Sequence, residues 1–199
     1  VASSDKAYGE LDDRRMYVES DPVNGLHPYD CSKSCTDLLA QSYAATYNLP
    51  IAISRCGNIY GGGDMNYSRL IPNTIRRILR GKLPVIHGTG DETRDYFYVE
   101  DAANAYVLLS EREAVGPYNF STGAELTVKQ VIETICEIMR LPIRYDVLNN
   151  SDAEICYQWL DSTKARENLG WLPKFSFAEG LRRTVDWYKK RLAQDNEKS

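Results

Sequence analysis

Tyr29 and Lys33 stand four residues apart in a stretch whose apolar and small positions recur at helical spacing. On a helix this spacing puts a phenol and an ammonium on one face, one turn apart. A phenol is a poor base at neutral pH, and a neighbouring positive charge stabilises the phenolate that would accept a proton. Ser4, at the end of the opening segment Val1-Ala2-Ser3-Ser4, offers a hydroxyl to share that proton. Taken alone, Tyr-x-x-x-Lys is a weak signal, because any amphipathic helix can carry a packed Tyr beside a solvated Lys. The context strengthens it. The pair lies about 20 residues after Ser-Ser-Asp-Lys-Ala-Tyr-Gly and about 20 before Arg-Cys-Gly-Asn-Ile-Tyr-Gly-Gly-Gly, each block at the end of an expected element.

The elements that must hold these groups follow from periodicity and punctuation. Pro28–Tyr47 is predicted as one long helix, with Tyr29, Cys35, Leu38, Leu39, Ser42 and Tyr43 on its stripe and Asn48-Leu49-Pro50 as its stop. A strand follows over 51–55, and Gly61-Gly62-Gly63 permits a sharp turn. Helices are expected over 69–79, from Glu100 or Asp101 to Leu109, and from Thr127 to Met139, where Thr127 and Gln130 have capping-box spacing. Short strands are expected at 84–87, 96–99, 118–121 and 143–147. Two helices, 162–169 and 177–192, are broken at 170–173. Strands alternating with helices predict an α/β fold with a mainly parallel sheet. The opening reads as the end of a buried strand, so the chain is expected to begin inside a fold.

Composition narrows the partners. With a net charge of -4 and a pI near 5.3, the chain has no overall basic field to gather nucleic acid, which is not expected as a partner. No apolar run approaches the roughly 20 residues of a membrane span, so no membrane partner is expected. Five cysteines, an odd number without paired close spacings, fit a reducing cytoplasm. Cys31 and Cys35 share a helix face, but with only His27 and His87 as histidines no metal is expected.

On its three motif blocks and along essentially its whole length, the chain resembles the extended short-chain dehydrogenase/reductases, in the branch of nucleotide-sugar epimerases and 4,6-dehydratases. The resemblance implies the C-terminal part of a Rossmann-like sheet in residues 1–57. Residues 58–199 would be mainly a smaller α/β substrate-binding lobe, with some segments returning to the sheet. It implies bound NAD, a nucleotide-sugar substrate, a homodimer built partly on the Tyr29 helix, and Ser4, Tyr29 and Lys33 as the catalytic set. Tyr29 would take the sugar 4-hydroxyl proton, and Lys33 would hold the nicotinamide ribose. The adjacent Asp5 and Lys6 stand where family dehydratases keep an acid and a base, and Asp-Lys resembles the form in CDP-glucose dehydratases. Asn58 matches a sugar-nucleotide contact, Arg94 a diphosphate ligand, and Asn119 and Gln158 further positions near the substrate, while Arg69, before Leu70-Ile71-Pro72, is by its charge either a second phosphate contact or a solvated arginine at a helix start. A guanidinium suits that diphosphate by its forked geometry.

Two departures qualify the resemblance. The glycine-rich turn that cradles the cofactor pyrophosphate lies, in the family, before the position of Val1, and Gly61-Gly62-Gly63 follows a different strand. Where some relatives carry nucleotide-binding arginines, this chain has Cys156-Tyr157-Gln158. The leading expectation is a nucleotide-hexose 4,6-dehydratase acting through a 4-keto intermediate, inactive as these 199 residues alone. A 4-epimerase and a non-catalytic sugar-nucleotide-binding module are the alternatives.

Overall fold

The structure, a computed structural model, describes residues 1–11, 13–149 and 156–196. Its contacts divide the chain into two interleaved units. The first comprises 1–59, 94–125 and 157–174, and the second 60–93, 126–156 and 175–199.

In the first unit, β1 (Ala52–Cys56) runs parallel to β6 (Gly116–Phe120) in unbroken register, Ala52 opposite Gly116 and Cys56 opposite Phe120. On the other side of β1, Ala2 forms a parallel bridge to Ser54, where Ser3 N donates to Ser54 O and Ser54 N to Val1 O, each at 2.9 Å. Only this one bridge represents the expected opening strand, because the chain turns at once into a 3-10 turn, Asp5–Tyr8. Ser4 caps that turn, its Oγ accepting from Lys6 N at 3.3 Å. The core of this unit gathers Phe97, Phe120 and Leu169 around Trp171. The indole meets Phe120 and Phe97 edge-on and donates Nε1 to Asp101 O at 3.1 Å, which satisfies its buried donor.

The helix α1 (Pro28–Tyr47) has the predicted bounds, with Pro28 at a first-turn position that needs no amide donor and Asn48 left-handed as its stop. The apolar stripe of α1 faces outward. Tyr29, Leu38, Leu39 and Tyr43 are exposed, while Asp30, Ser34, Asp37 and Ala40 are buried. The buried face is polar because polar partners wait for it, as the site shows. Gly25 is required beside it, since a Cβ there would lie 2.4 Å from the Asp30 carbonyl carbon.

Other bounds shift. The helix α3 (Val99–Glu111) starts before Glu100 and Asp101, so neither caps it, and Asp101 Oδ1 instead accepts Lys174 N at 2.8 Å. Between β1 and α3 lie β2 (Asn58–Tyr60), α2 (Leu70–Leu79), β3 (Val85–Ile86), β4 (Thr93–Arg94) and β5 (Tyr96–Tyr98).

In the second unit β3 pairs in parallel with β8 (Asp146–Val147), the only part of the expected 143–147 strand that finds a partner. The helix α4 (Val128–Met139), preceded by β7 (Leu126–Thr127), carries the capping box that Thr127 and Gln130 announced. Ile132 and Cys136 of α4 pack with Ile86, Leu70 and Ile78. After β9 (Tyr157–Gln158) come α5 (Thr163–Leu169) and α6 (Phe177–Asn196), with the break between them near the expected place. No described helix is long and apolar enough to cross a membrane.

Candidate functional site

The 3-10 turn and the first turns of α1 are held together by specific bonds. Lys33 Nζ donates to Ala2 O at 3.2 Å, two residues before Ser4, and lies 5.8 Å from the centre of the Tyr29 ring. Ser34 Oγ donates to Ala7 O at 2.8 Å and accepts from Gly25 N at 2.9 Å. Tyr29 is half-exposed, so its phenol opens outward from this scaffold. The helical spacing therefore does put phenol and ammonium together, over the segment that carries Ser4.

Asp5 is buried and forms no ion pair with Lys6 among the described residues. Its Oδ1 accepts Ser4 Oγ at 2.9 Å, while its Oδ2 has no hydrogen-bond partner among the described protein atoms. Lys6 Nζ turns instead to Gln158 Oε1. Gln158 is itself fully buried, with Nε2 donating to Asp5 O at 3.0 Å. Its amide thus joins the 3-10 turn to the segment 157–158, at a position expected to lie near substrate.

Asn119, also expected near substrate, is fully buried, accepts Tyr8 OH at 2.7 Å and donates to Tyr17 O at 3.0 Å. Asn58 is half-buried and donates its backbone N to Asp95 O at 2.7 Å. Arg94, on β4 beside Asp95, is buried. Arg69 belongs to the second unit, where it stands just before α2 and pairs with Asp64 at 3.0 Å.

Three groups were not anticipated. Asp30, the residue after Tyr29, is buried, and burial pushes its carboxyl up while Lys6, His27 and Arg94 pull it down. Its place inside Tyr-x-x-x-Lys was visible, but its inward direction was not. Arg55 is fully buried and forks onto Asp37 of α1 with two 2.8 Å bonds, and it also donates to Tyr8 OH at 2.9 Å. Because Asp37 is four residues beyond Lys33, this pair fastens the Tyr-Lys face of α1 to β1 and, through Tyr8, to the 3-10 turn. Asp95 is fully buried among Ser121 and Thr122 hydroxyls, and burial raises it to about 7 against the pull of Thr122.

The residues present fit one end of NAD. A phenol and an ammonium on an open helix face suit a nicotinamide ribose. In Gly61-Gly62-Gly63 the middle glycine does not fit the pyrophosphate end, because its Cβ position lies 2.5 Å from the Trp187 ring. Among the described residues no cluster of three His, Cys, Asp or Glu groups could hold a metal ion, and all five cysteines are free thiols.

Known proteins show what the chain is similar to. The family profile described as GDP-mannose 4,6 dehydratase matches residues 1–184. The chain is 33% identical over 192 residues to dTDP-glucose 4,6-dehydratase of Mycobacterium tuberculosis, covering 94% of this chain and 58% of that protein. It is 35% identical over 202 residues to dTDP-glucose 4,6-dehydratase of Neisseria gonorrhoeae, with the same coverage. The chain thus spans 58% of the length of these relatives. Among solved structures, UDP-glucose 4-epimerase of Thermotoga maritima with UDP-glucose superposes with a TM-score of 0.90 at 31% identity, over 96% of this chain and 63% of that one. dTDP-glucose 4,6-dehydratase of Bacillus anthracis in complex with NAD gives 0.86 at 30%, over 95% and 60%. The chain belongs to the GDP-mannose 4,6 dehydratase family, within the extended short-chain dehydrogenase/reductases that its motifs resemble.

Proposed function

We propose that the protein is an NAD-dependent nucleotide-hexose 4,6-dehydratase. The observation that carries this reading is Asp5, a buried carboxyl with one oxygen held by Ser4 and the other without a partner among the described atoms, beside a lysine. A 4-epimerase needs no such acid and base next to Ser4.

NAD, when bound, supplies a reversible hydride acceptor for sugar C4. Tyr29 takes the 4-hydroxyl proton, Ser4 shares it, and Lys33 orients the nicotinamide ribose and favours the phenolate. Oxidation at C4 acidifies the C5 proton, which Lys6 removes while Asp5 protonates the departing 6-hydroxyl; the hydride taken from C4 would then return to C6 as Lys6 gives its proton back to C5, so that the net change is the loss of one water. Arg94 binds the diphosphate and Asn58 the sugar nucleotide, and Arg69 is a further phosphate contact. Residues 1–57 close the dinucleotide-binding domain, and 58–199 mainly bind substrate. The exposed Leu38, Leu39 and Tyr43 of α1 support a homodimer with that helix at its interface. The Asp5-Lys6 pair favours CDP-glucose, while the curated relatives are named for dTDP-glucose.

The 4-epimerase reading keeps one supporting observation, the 0.90 TM-score to the Thermotoga maritima enzyme. Mass spectrometry separates the two. The native-length protein, given NAD with CDP-glucose or dTDP-glucose, is expected to yield a product lighter by one water, whereas an epimer has unchanged mass. Tyr29→Phe should abolish turnover, and activity within about tenfold of the parent would remove the assignment.

A further inference from the structure

The amide of Gln158 is oriented by what surrounds it. Its Nε2 donates to Asp5 O at 3.0 Å and lies 3.5 Å from Gly9 O, the first residue of the 3-10 turn and the residue that caps it. With the amino group committed to two carbonyls, the amide oxygen must face Lys6, since a flip would set oxygen against oxygen. Lys6 Nζ donates to that oxygen. The strand carrying Gln158 is pinned next door, where the Arg14 guanidinium lies 4.2 Å over the Tyr157 ring.

The charge environment gives this neutral acceptor a purpose. Asp5 shares the turn with Lys6, Asp30 of α1 is in the lysine's field, and Arg94 and His27 act on the same Asp30 carboxyl. The Asp30 carboxylate already favours the protonated amine. A further carboxylate, at position 158, would hold the proton in place. An amide oxygen accepts more strongly from an ammonium than from a neutral amine, but it carries no formal charge, so it holds the side chain with a much smaller bias toward the protonated form than a carboxylate would impose.

We propose that Gln158 is a positioning residue that holds Lys6 in the site while leaving it free to gain and lose a proton. This deepens the dehydratase reading and rests on it for the step affected, removal of the C5 proton.

The test uses native-length protein labelled at the lysine ε-carbons, with Lys6 identified by the signal lost in Lys6→Arg. Gln158→Glu, which keeps shape, is expected to move the Lys6 titration upward by about one pH unit or more. The acid limb of the water-loss reaction should move in the same direction, because the base is then freed of its proton only at higher pH. Gln158→Leu should move the Lys6 titration the opposite way, downward and by less, because it removes an acceptor that favours the ammonium. A side chain that merely supports the fold would lower stability in these variants and leave both titration and pH limb in place, and that result overturns the proposal. Should those variants fail to fold, Gln158→Asn withdraws the same amide by one methylene, and an unchanged Lys6 titration there is equally fatal. If the parent releases no water-loss product, the dehydratase reading falls, and the Lys6 titration still decides the role of Gln158.

Discussion

Two fully buried carboxyls in the first unit, Asp37 and Asp95, have opposite electrostatic fates. Asp37 is opposed by burial, yet the forked Arg55 contact holds its carboxyl below the usual carboxylate range. Asp95 has no ion pair among the described residues and lies among hydroxyls, and burial lifts it to about 7. The hydrogen bonding around it fits a protonated acid. Ser121 has one hydroxyl proton and two acceptors in reach, Asp95 and Leu160 O, and a protonated Asp95 relieves the conflict by donating to Ser121. Burial alone therefore does not set charge; the nearest formal charge does. The first carboxyl is held in its ionised form by Arg55, and the second, next to Arg94 in sequence, is pushed toward its neutral form.

The largest effect should come from breaking the matched pair. Arg55→Met leaves Asp37 buried and unpaired, and is expected to cost about 3–5 kcal/mol in chemical denaturation. Adding Asp37→Leu should recover part of that loss, because an apolar pair needs no desolvation offset. If the double variant is no better than Arg55→Met, the cost lies in packing and not in the stranded charge.

A smaller effect is expected at Asp95, and its sign is opposite to that of Asp37. A carboxyl whose folded value is raised contributes stability below its unfolded value, about 4, that is lost as pH rises through about 7. Asp37, with its folded value depressed, contributes stability above the unfolded value that is lost on acidification. Asp95→Asn should flatten the decline in denaturation midpoint between about pH 4 and 7. An identical pH slope in both proteins would contradict the raised value.

The smallest effect is expected where a similar pair is solvated. Arg69 and Asp64 meet at 3.0 Å, but the arginine side chain is 59% exposed. Arg69→Ala should change stability by less than about 1 kcal/mol. Its influence, if it binds phosphate, should appear instead as weaker sugar-nucleotide binding measured by calorimetry.

Much of the fold was legible because its signals are local. The bounds of α1 follow from Pro28 and from Asn48 at the stop, and the capping box of α4 from two residues three apart. The 143–147 strand was overcalled, because extended backbone becomes a strand only where a partner exists, here β3 for Asp146 and Val147 alone. The apolar stripe of α1 was legible as helical, but which of the two faces the fold buries was not. Periodicity reports that a helix has two faces, and it cannot report which one a distant Arg55 will claim.

By itself the sequence determined the α/β alternation, the shared face of Tyr29 and Lys33, and the adjacency of Ser4, Asp5 and Lys6, all properties of spacing within a few residues. Only the tertiary structure decided that Gln158 reaches Lys6, that Asn119 accepts from Tyr8 inside the fold, and that Asp37 and Asp95 differ in charge. Those outcomes depend on partners tens to more than a hundred residues away, whose approach fixes burial and hydrogen bonding, and no local pattern encodes them.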